Sequence, residues 1–351
     1  MAEKSLLDVQ IVPATASDYD EVLSISDGIY NGVDYLPFRY HEWVRDPQRR
    51  MFVAKSGGKV VGFGSYLLVD GGVTAVVQGL RIAPWMRGYG IAGVMQQFCF
   101  DVLRSEHPEV PKVRLTRGED PPAAKLNKYR LVHSKAVISV VIPNDQLEDT
   151  IKLLKQRVEN VDGKAPVFSR SPEEVRSWFE NSFNAEGLFP KGILVQDWLP
   201  LSNHRSNLEL LLQRGVLWCY SNFLKSSTYN SLHANQEPTS ASLPHSSSLP
   251  NTFITSDSTC EFLSLGTPPI SVPLEDGMHR YDIDLFGIDP VAAKAHILHQ
   301  LTEALRVLPR DGGMVCLLYV EEILRAELTQ FCQGITPFLL VKEQLVLEMD
   351  I

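Results

Sequence analysis

The chain has 351 residues, 44% of them hydrophobic and 21% charged, and a formal net charge of −9 at pH 7. That length is generous for one core and suggests two domains, while the negative charge argues against nucleic acid as a partner. Five cysteines, odd in number and without Cys-x-x-Cys spacing, suggest neither a disulfide framework nor a metal site. No apolar run approaches the roughly 20 residues that span a bilayer, and the first residues lack the apolar core of a signal peptide. The expected setting is the cytoplasm, without membrane contact.

Residues 9–13 read as a first strand. Thr15 or Ser17 is placed to cap a helix carrying Tyr19, Val22, Leu23 and Ile25, with Asp18, Asp20 and Glu21 at its positive end. Residues 28–43 are dense in aromatic rings (Tyr30, Tyr35, Tyr40 and Trp43) around Asp34 and Arg39. They suit either a helix–loop–helix whose rings fill core or a lid over a small polar substrate. Residues 51–55 and 59–69 form a hairpin through Ser56-Gly57-Gly58, and Asp70-Gly71-Gly72 turns into a third strand with Val76, Val77, Leu80 and Ile82. Pro84 ends that strand. Gly88 and Gly90 follow, and Ile91, Val94, Met95, Phe98 and Val102 then recur at helical spacing.

The join between that strand and helix carries the chemistry. Glycines at a helix entrance allow close approach of a ligand, and the free N–H groups and dipole of the first turn favour an anion such as a pyrophosphate. Arg87 adds a cation beside them. A P-loop is excluded, since no Gly-Lys-Ser/Thr is present. A dinucleotide fingerprint is only mimicked by Gly88, Gly90 and Gly93, because hairpin strands precede it where a βαβ unit is required. Further on, residues 112–116 read as a strand, 121–129 as a helix with prolines in its first turn, and 136–142 as a β-branched strand.

The order Leu80-x-Ile82-x-Pro84-x-x-Arg87-x-x-Gly90-x-Ala92 resembles the acetyl-CoA signature of the GNAT acetyltransferases. The resemblance covers residues 8–145 and implies an α/β (α+β) GNAT fold, a mixed and mostly antiparallel sheet flanked by helices. It implies acetyl-CoA as co-substrate, with the backbone around Leu80, Arg81 and Ile82 pairing with the pantetheine arm. Arg87, Gly88, Tyr89, Gly90, Ile91 and Ala92 would hold the pyrophosphate. Asn127 and Tyr129 would approach the thiol end, where a phenol near pKa 10 can protonate the departing thiolate. Two departures stand out. Pro122 occupies the Asn position of the family's Asn-x-x-Ala-x-x-x-Tyr spacing, and Gln78 stands where many relatives carry a Glu base. Either the base lies elsewhere, with Asp34, His41 and Glu42 as candidates, or the amine arrives neutral.

The second half repeats the order strand, helix, strand, helix, strand, with 338–341 and 344–349 read as a final hairpin, implying a second, degenerate GNAT-like domain over 146–224 and 279–351. Residues 225–278, rich in Ser and Pro, read as a disordered insertion between its parts. The second domain's join, Phe286-Gly287-Ile288-Asp289-Pro290, has one glycine and an acid that would repel a pyrophosphate. The tandem layout, with residues 32–37 and 78–84, is similar to the vertebrate histidine N-acetyltransferase group. That similarity implies an N-acetyltransferase acting on the α-amine of a free amino acid, histidine in that group, by direct attack in a ternary complex. Asp34, Tyr35, Arg39 and Gln78 would face the substrate. Three alternatives stay open: a CoA-binding pseudoenzyme, an acetyltransferase of protein amines, and a scaffold working through the insertion.

Overall fold

The computed structural model describes residues 8–119, 127–160, 165–181, 188–221, 262–274 and 277–351. In the first half, β1 (Gln10–Pro13) leads to α1 (Tyr19–Ser24) and α2 (Leu36–Arg45). Thr15 stands at the start of the short 3-10 turn (Ala16–Asp18) that leads into α1, its N–H and hydroxyl both donating to Asp18 Oδ2 at 2.8 Å. Then come β2 (Arg49–Ser56), β3 (Lys59–Val69), β4 (Thr74–Ile82), α3 (Ile91–Glu106), β5 (Lys112–Gly118) and β6 (Arg130–Ile142). The expected helix at 121–129 lies outside the described residues except for its last three.

The second half holds α4 (Leu147–Glu159), β7 (Phe168–Arg170), α5 (Pro172–Asn181), the hairpin β8 (Ile193–Gln196) and β9 (Leu199–Ser202), α6 (Arg205–Gln213) and β10 (Leu217–Ser221). It continues through β11 (Phe262–Gly266), β12 (Ile270–Ser271), β13 (Met278–Phe286), α7 (Pro290–Val307), β14 (Gly313–Val320), α8 (Arg325–Phe331), β15 (Thr336–Pro337) and β16 (Glu343–Asp350). Two expectations need correction here. The insertion does not extend to residue 278, because β11 is a buried strand between β10 and β13. Its apolar run is short and sits beside Ser and Pro, which hides a strand covered on both faces. Nor do residues 338–349 fold back as a hairpin, since β16 pairs with β5 and β6.

The long sheet runs β1-β2-β3-β4-β5-β16-β6-β14-β13-β11-β10-β7. Among the described strands only β4/β5 and β13/β14 are parallel pairs. The two halves exchange strands about these pairs. β6, from the first half, lies against β14, and β16, from the end of the chain, lies against β5. The sheet therefore runs without a break across residue 145. One apolar cluster, with Tyr40, Phe63, Met95 and Leu103, packs the first half. Another, with Ile138, Ile297, Leu301, Leu318 and Leu328, packs α7 and α8 onto β6, β13 and β14. Each such side chain, fully buried, contributes about 1.5–3 kcal/mol.

The parallel pairs differ in a way that places the site. β13 and β14 are zipped over seven residues, Met278 to Asp284. β4 and β5 pair only from Thr74 to Val76 and then splay, leaving the outer edge of β4 unpaired toward β5.

Candidate active site

The splay is widened by a bulge. In the β3/β4 register Phe63 faces Arg81 and Ser65 faces Gln78, so Gly79 and Leu80 together oppose Gly64. Gly79 has φ +76°, and a Cβ there would lie 3.0 Å from the Phe63 ring and 3.2 Å from Trp43. Only glycine fits this bend.

Between the diverging strands lies a cavity of about 150 Å³. Val77, Gln78 and Leu80 line it from β4, Leu115, Thr116 and Arg117 from β5, and Met95, Gln96 and Cys99 from α3. Tyr30, Tyr35 and Trp198 supply aromatic wall. Tyr30 stacks on Tyr35 at 6.0 Å between centroids and on Trp198 at 6.5 Å. Tyr30 and Asn31 are left-handed, with φ of 53° and 54°. That strain is held by contacts with the second half: Asn31 Nδ2 donates to the Leu339 carbonyl at 2.6 Å, and Arg280 Nη1 to the Val33 carbonyl at 3.3 Å.

At the rim, Gly88 and Gly90 have φ of 81° and 83°, and Gly90 is the N-cap of the 16-residue α3. The N–H groups of Gly93 and Val94 both turn to the Gly90 carbonyl. Those of residues 88–92 donate to no acceptor among the described residues. Arg87 is exposed beside them, its Nε donating to the Ile82 carbonyl at 3.3 Å. Open N–H groups, a helix dipole and a cation at one place match the needs of a pyrophosphate.

The other residues expected at the site are more dispersed. Leu80, Tyr35 and Gln78 line the cavity. Arg81 does not offer its side chain to a cofactor. It is 3% exposed and ion-paired with Asp34 at 2.7 Å, beneath the Tyr30 and Tyr35 rings. Asp34 in turn accepts the Leu36 N–H, so neither is free. Arg39 is buried against Glu42 at 2.8 Å, and His41 is exposed against the Tyr19 ring. None of Asp34, Arg39, His41 and Glu42 lines the cavity. Ile91 points into the core, Ile82 and Ala92 are half-buried, Tyr89 is exposed at the rim, and Asn127 is exposed in a turn. Tyr129 is buried in a small cluster with Leu115, Val77 and Leu347, directly behind two lining side chains. Burial pushes its phenol above the usual range, so the proton stays on oxygen at neutral pH.

Trp198 went unread in the sequence. It occupies the tight β8–β9 turn, and its carbonyl accepts Thr116 Oγ1 at 2.7 Å and Gln78 Nε2 at 3.4 Å. Beside it Asp197 is left-handed, φ 57°. Its N–H donates to Asp284 at 2.7 Å, its carbonyl accepts Gln344 Nε2 at 2.7 Å, and its carboxylate pairs with the buried Arg280. Arg280 also pairs with Asp282 at 2.8 Å. An Asp-Trp pair between two apolar runs was the local signal, but nothing in the linear order links it to β4. Cys99 is a free thiol on the wall, and burial pushes it up to about 12.

In the second half the equivalent join is already satisfied from within. Asp289 caps α7, its side chain accepting the Ala292 N–H at 2.7 Å. With β13 and β14 zipped beside it, that join has no gap like the one between β4 and β5.

Comparison with known proteins agrees with this geometry. Residues 19–128 match the family model described as "Acetyltransferase (GNAT) family". Residues 162–245 and 237–321 match "Histidine N-acetyltransferase, C-terminal". A human protein, "Probable N-acetyltransferase 16", is 34% identical, covering 100% of this chain and 87% of its own length. Histidine N-acetyltransferases of Oreochromis niloticus and Xenopus tropicalis are each 30% identical, covering 98% and 97% of this chain and 94% and 95% of their own. Among solved structures, a tandem GNAT protein from the clavulanic acid biosynthesis pathway aligns with a TM-score of 0.55 at 14% identity over 98% of both chains. A GCN5-related N-acetyltransferase from Sphaerobacter thermophilus aligns at 0.50 and 12%, over 97% of this chain and 95% of its own. These last two share the fold. Fold and sequence together define a GNAT N-acetyltransferase with a second GNAT-like domain. Within that class, the chain belongs to the histidine N-acetyltransferase family.

Proposed function

We propose that this protein acetylates the α-amine of a free amino acid, histidine foremost, by direct attack on acetyl-CoA in a ternary complex in the cytoplasm. Residues 8–145 would form the catalytic domain, and the rest a supporting domain that does not bind CoA. The observation that carries the reading is the closure of the β4/β5 cavity by Tyr30, Tyr35 and Trp198, the last delivered by the second half. A small substrate fits such a cavity, whereas a polypeptide amine needs an open groove.

The roles follow from position. Arg87 and the N–H groups of Gly88, Tyr89, Gly90, Ile91 and Ala92 would hold the pyrophosphate, and the unpaired β4 edge at Leu80–Ile82 the pantetheine arm. When bound, acetyl-CoA supplies an activated acetyl thioester. Backbone N–H groups at the Gly79–Leu80 bulge would stabilise the oxyanion, a contribution of about 2.7–4 kcal/mol per donor elsewhere. Tyr129, whose ring backs Val77 and Leu115, would protonate the departing thiolate. Tyr35 and Gln78 would contact the amino acid. The described cavity wall carries no carboxylate and no imidazole, so the amine is taken to enter neutral and Gln78 to orient it. Cys99, held as a thiol, suits direct transfer better than an acetyl-cysteine intermediate.

The test is thiol release from acetyl-CoA with a panel of free amino acids, peptides and polyamines. Free histidine is expected to give the highest kcat/KM, rising with pH as its own amine loses its proton. Preference for peptides, or no turnover with any amine, would sink the reading.

A further inference from the structure

One buried charge at this site has no carboxylate at ion-pair distance. Arg49 is 6% exposed, yet no carboxylate among the described residues lies within 4 Å of its guanidinium. The groups it touches are neutral: Nη1 donates to Ser65 Oγ at 3.2 Å, Nη2 to Gln78 Oε1 at 3.0 Å, and the group lies 3.8 Å from the Trp43 ring centre. The Asp46 and Glu42 carboxylates act on it only from beyond ion-pair distance, and the Arg214 cation opposes them. Its Nε is buried without any acceptor. Arg39 and Arg81 share an unpaired Nε, but the other buried arginines differ in having a carboxylate at hand, Glu42 at 2.8 Å for Arg39. Arg81, Arg114 and Arg280 each have an aspartate at hydrogen-bond distance. A buried cation without a counter-ion is costly unless a ligand completes it. Burial holds this guanidinium down to about 9. Ser65 and Gln78, its two acceptors, both line the cavity, so Arg49 stands one side chain behind the wall. Short of water, its field reaches across that wall with little screening.

We infer that Arg49 is the counter-charge for the α-carboxylate of the amino acid, which binds at the Ser65–Gln78 wall. The inference rests on the reading of the acceptor as a free amino acid and adds a reason for it. A peptide's internal carbonyl or a decarboxylated amine would leave Arg49 uncompensated, so the site discriminates by charge. Arg117 also lines the cavity, but it is half-exposed, and water already satisfies much of its charge.

The test uses the full-length protein and the variants Arg49→Met, Arg49→Lys and Arg117→Ala. Rates at saturating acetyl-CoA are measured with L-histidine, L-histidinamide and histamine. The wild type should favour histidine over either carboxylate-free analogue by about tenfold or more in kcat/KM. Arg49→Met should erase that preference by raising KM for histidine, with KM for acetyl-CoA unchanged, and Arg49→Lys should keep part of it. In thermal melts of the CoA complex, histidine should raise the midpoint more than histidinamide, for the wild type but not for Arg49→Met. A preference that survives in Arg49→Met, or disappears in Arg117→Ala instead, overturns the inference and leaves amino-acid acetylation standing. Turnover of no free amino acid overturns that underlying reading, and the inference with it. Should Arg49→Met not fold, the wild type still decides: equal use of histidine and histidinamide rejects a carboxylate subsite.

Discussion

Arg81 and Arg87 are six positions apart on one motif and do opposite things. Arg81 neutralises Asp34 under two tyrosine rings and has no charge to spare, whereas Arg87 stands in solvent beside open N–H groups. Arg87→Glu should therefore weaken acetyl-CoA by about tenfold to a hundredfold, as expected for loss of a charge-assisted contact. Calorimetry would register this with the far-UV circular dichroism unchanged; retained affinity would remove Arg87 from the pyrophosphate site. Tyr129→Phe deletes only the hydroxyl and keeps the ring that packs on Leu115 and Leu347. It should lower kcat far more than it weakens acetyl-CoA binding, and an unchanged kcat would assign Tyr129 to packing alone. The signature around Arg87 was legible because its glycines and arginine are contiguous. That Arg81 is spent on Asp34, 47 positions away, was not, since an ion pair depends on where two strands of chain meet.

At the scale of elements, the β8–β9 hairpin matters more to the site than its length suggests. Its turn brings Trp198 to the cavity, and a buried network of Arg280, Asp282, Asp284 and Gln344 holds the strained Asp197 in place. Burial pushes the Asp282 carboxyl up to about 6 and holds Lys135 down to about 8, which marks how dry this region is. Trp198→Ala removes the ring that stacks on Tyr30 and opens the cavity. The expected result in steady-state kinetics is a rise in KM for the amine of about tenfold, from lost aromatic contact area. KM for acetyl-CoA should hardly move, because the rim at Arg87 is untouched. A change confined to acetyl-CoA would contradict this placement. The strands β2 to β4 and the glycine turns between them were readable from their apolar β-forming runs and turn residues. β11 was not, because five residues buried on both faces have no period to reveal them.

For the whole molecule, strand exchange makes each half a part of the other's sheet. β16 ends the chain yet fills the space between β5 and β6, with Val346 and Leu347 fully buried. A fragment of residues 8–145 would expose the edges of β5 and β6 and lose those side chains. It is expected to aggregate or to melt without a cooperative transition, followed by circular dichroism and scanning calorimetry. A soluble fragment with a sharp transition would show that the exchange is dispensable.

The sequence by itself determined the GNAT signature and the class of cofactor. Both depend on residues adjacent in the chain, where backbone freedom and charge act locally. Only the tertiary structure decided that β4 and β5 splay while β13 and β14 stay zipped, that Trp198 closes the cavity, and that Arg49 is buried without a counter-ion. Those depend on which distant segments share one dry space, and low dielectric converts such proximity into preference for a ligand.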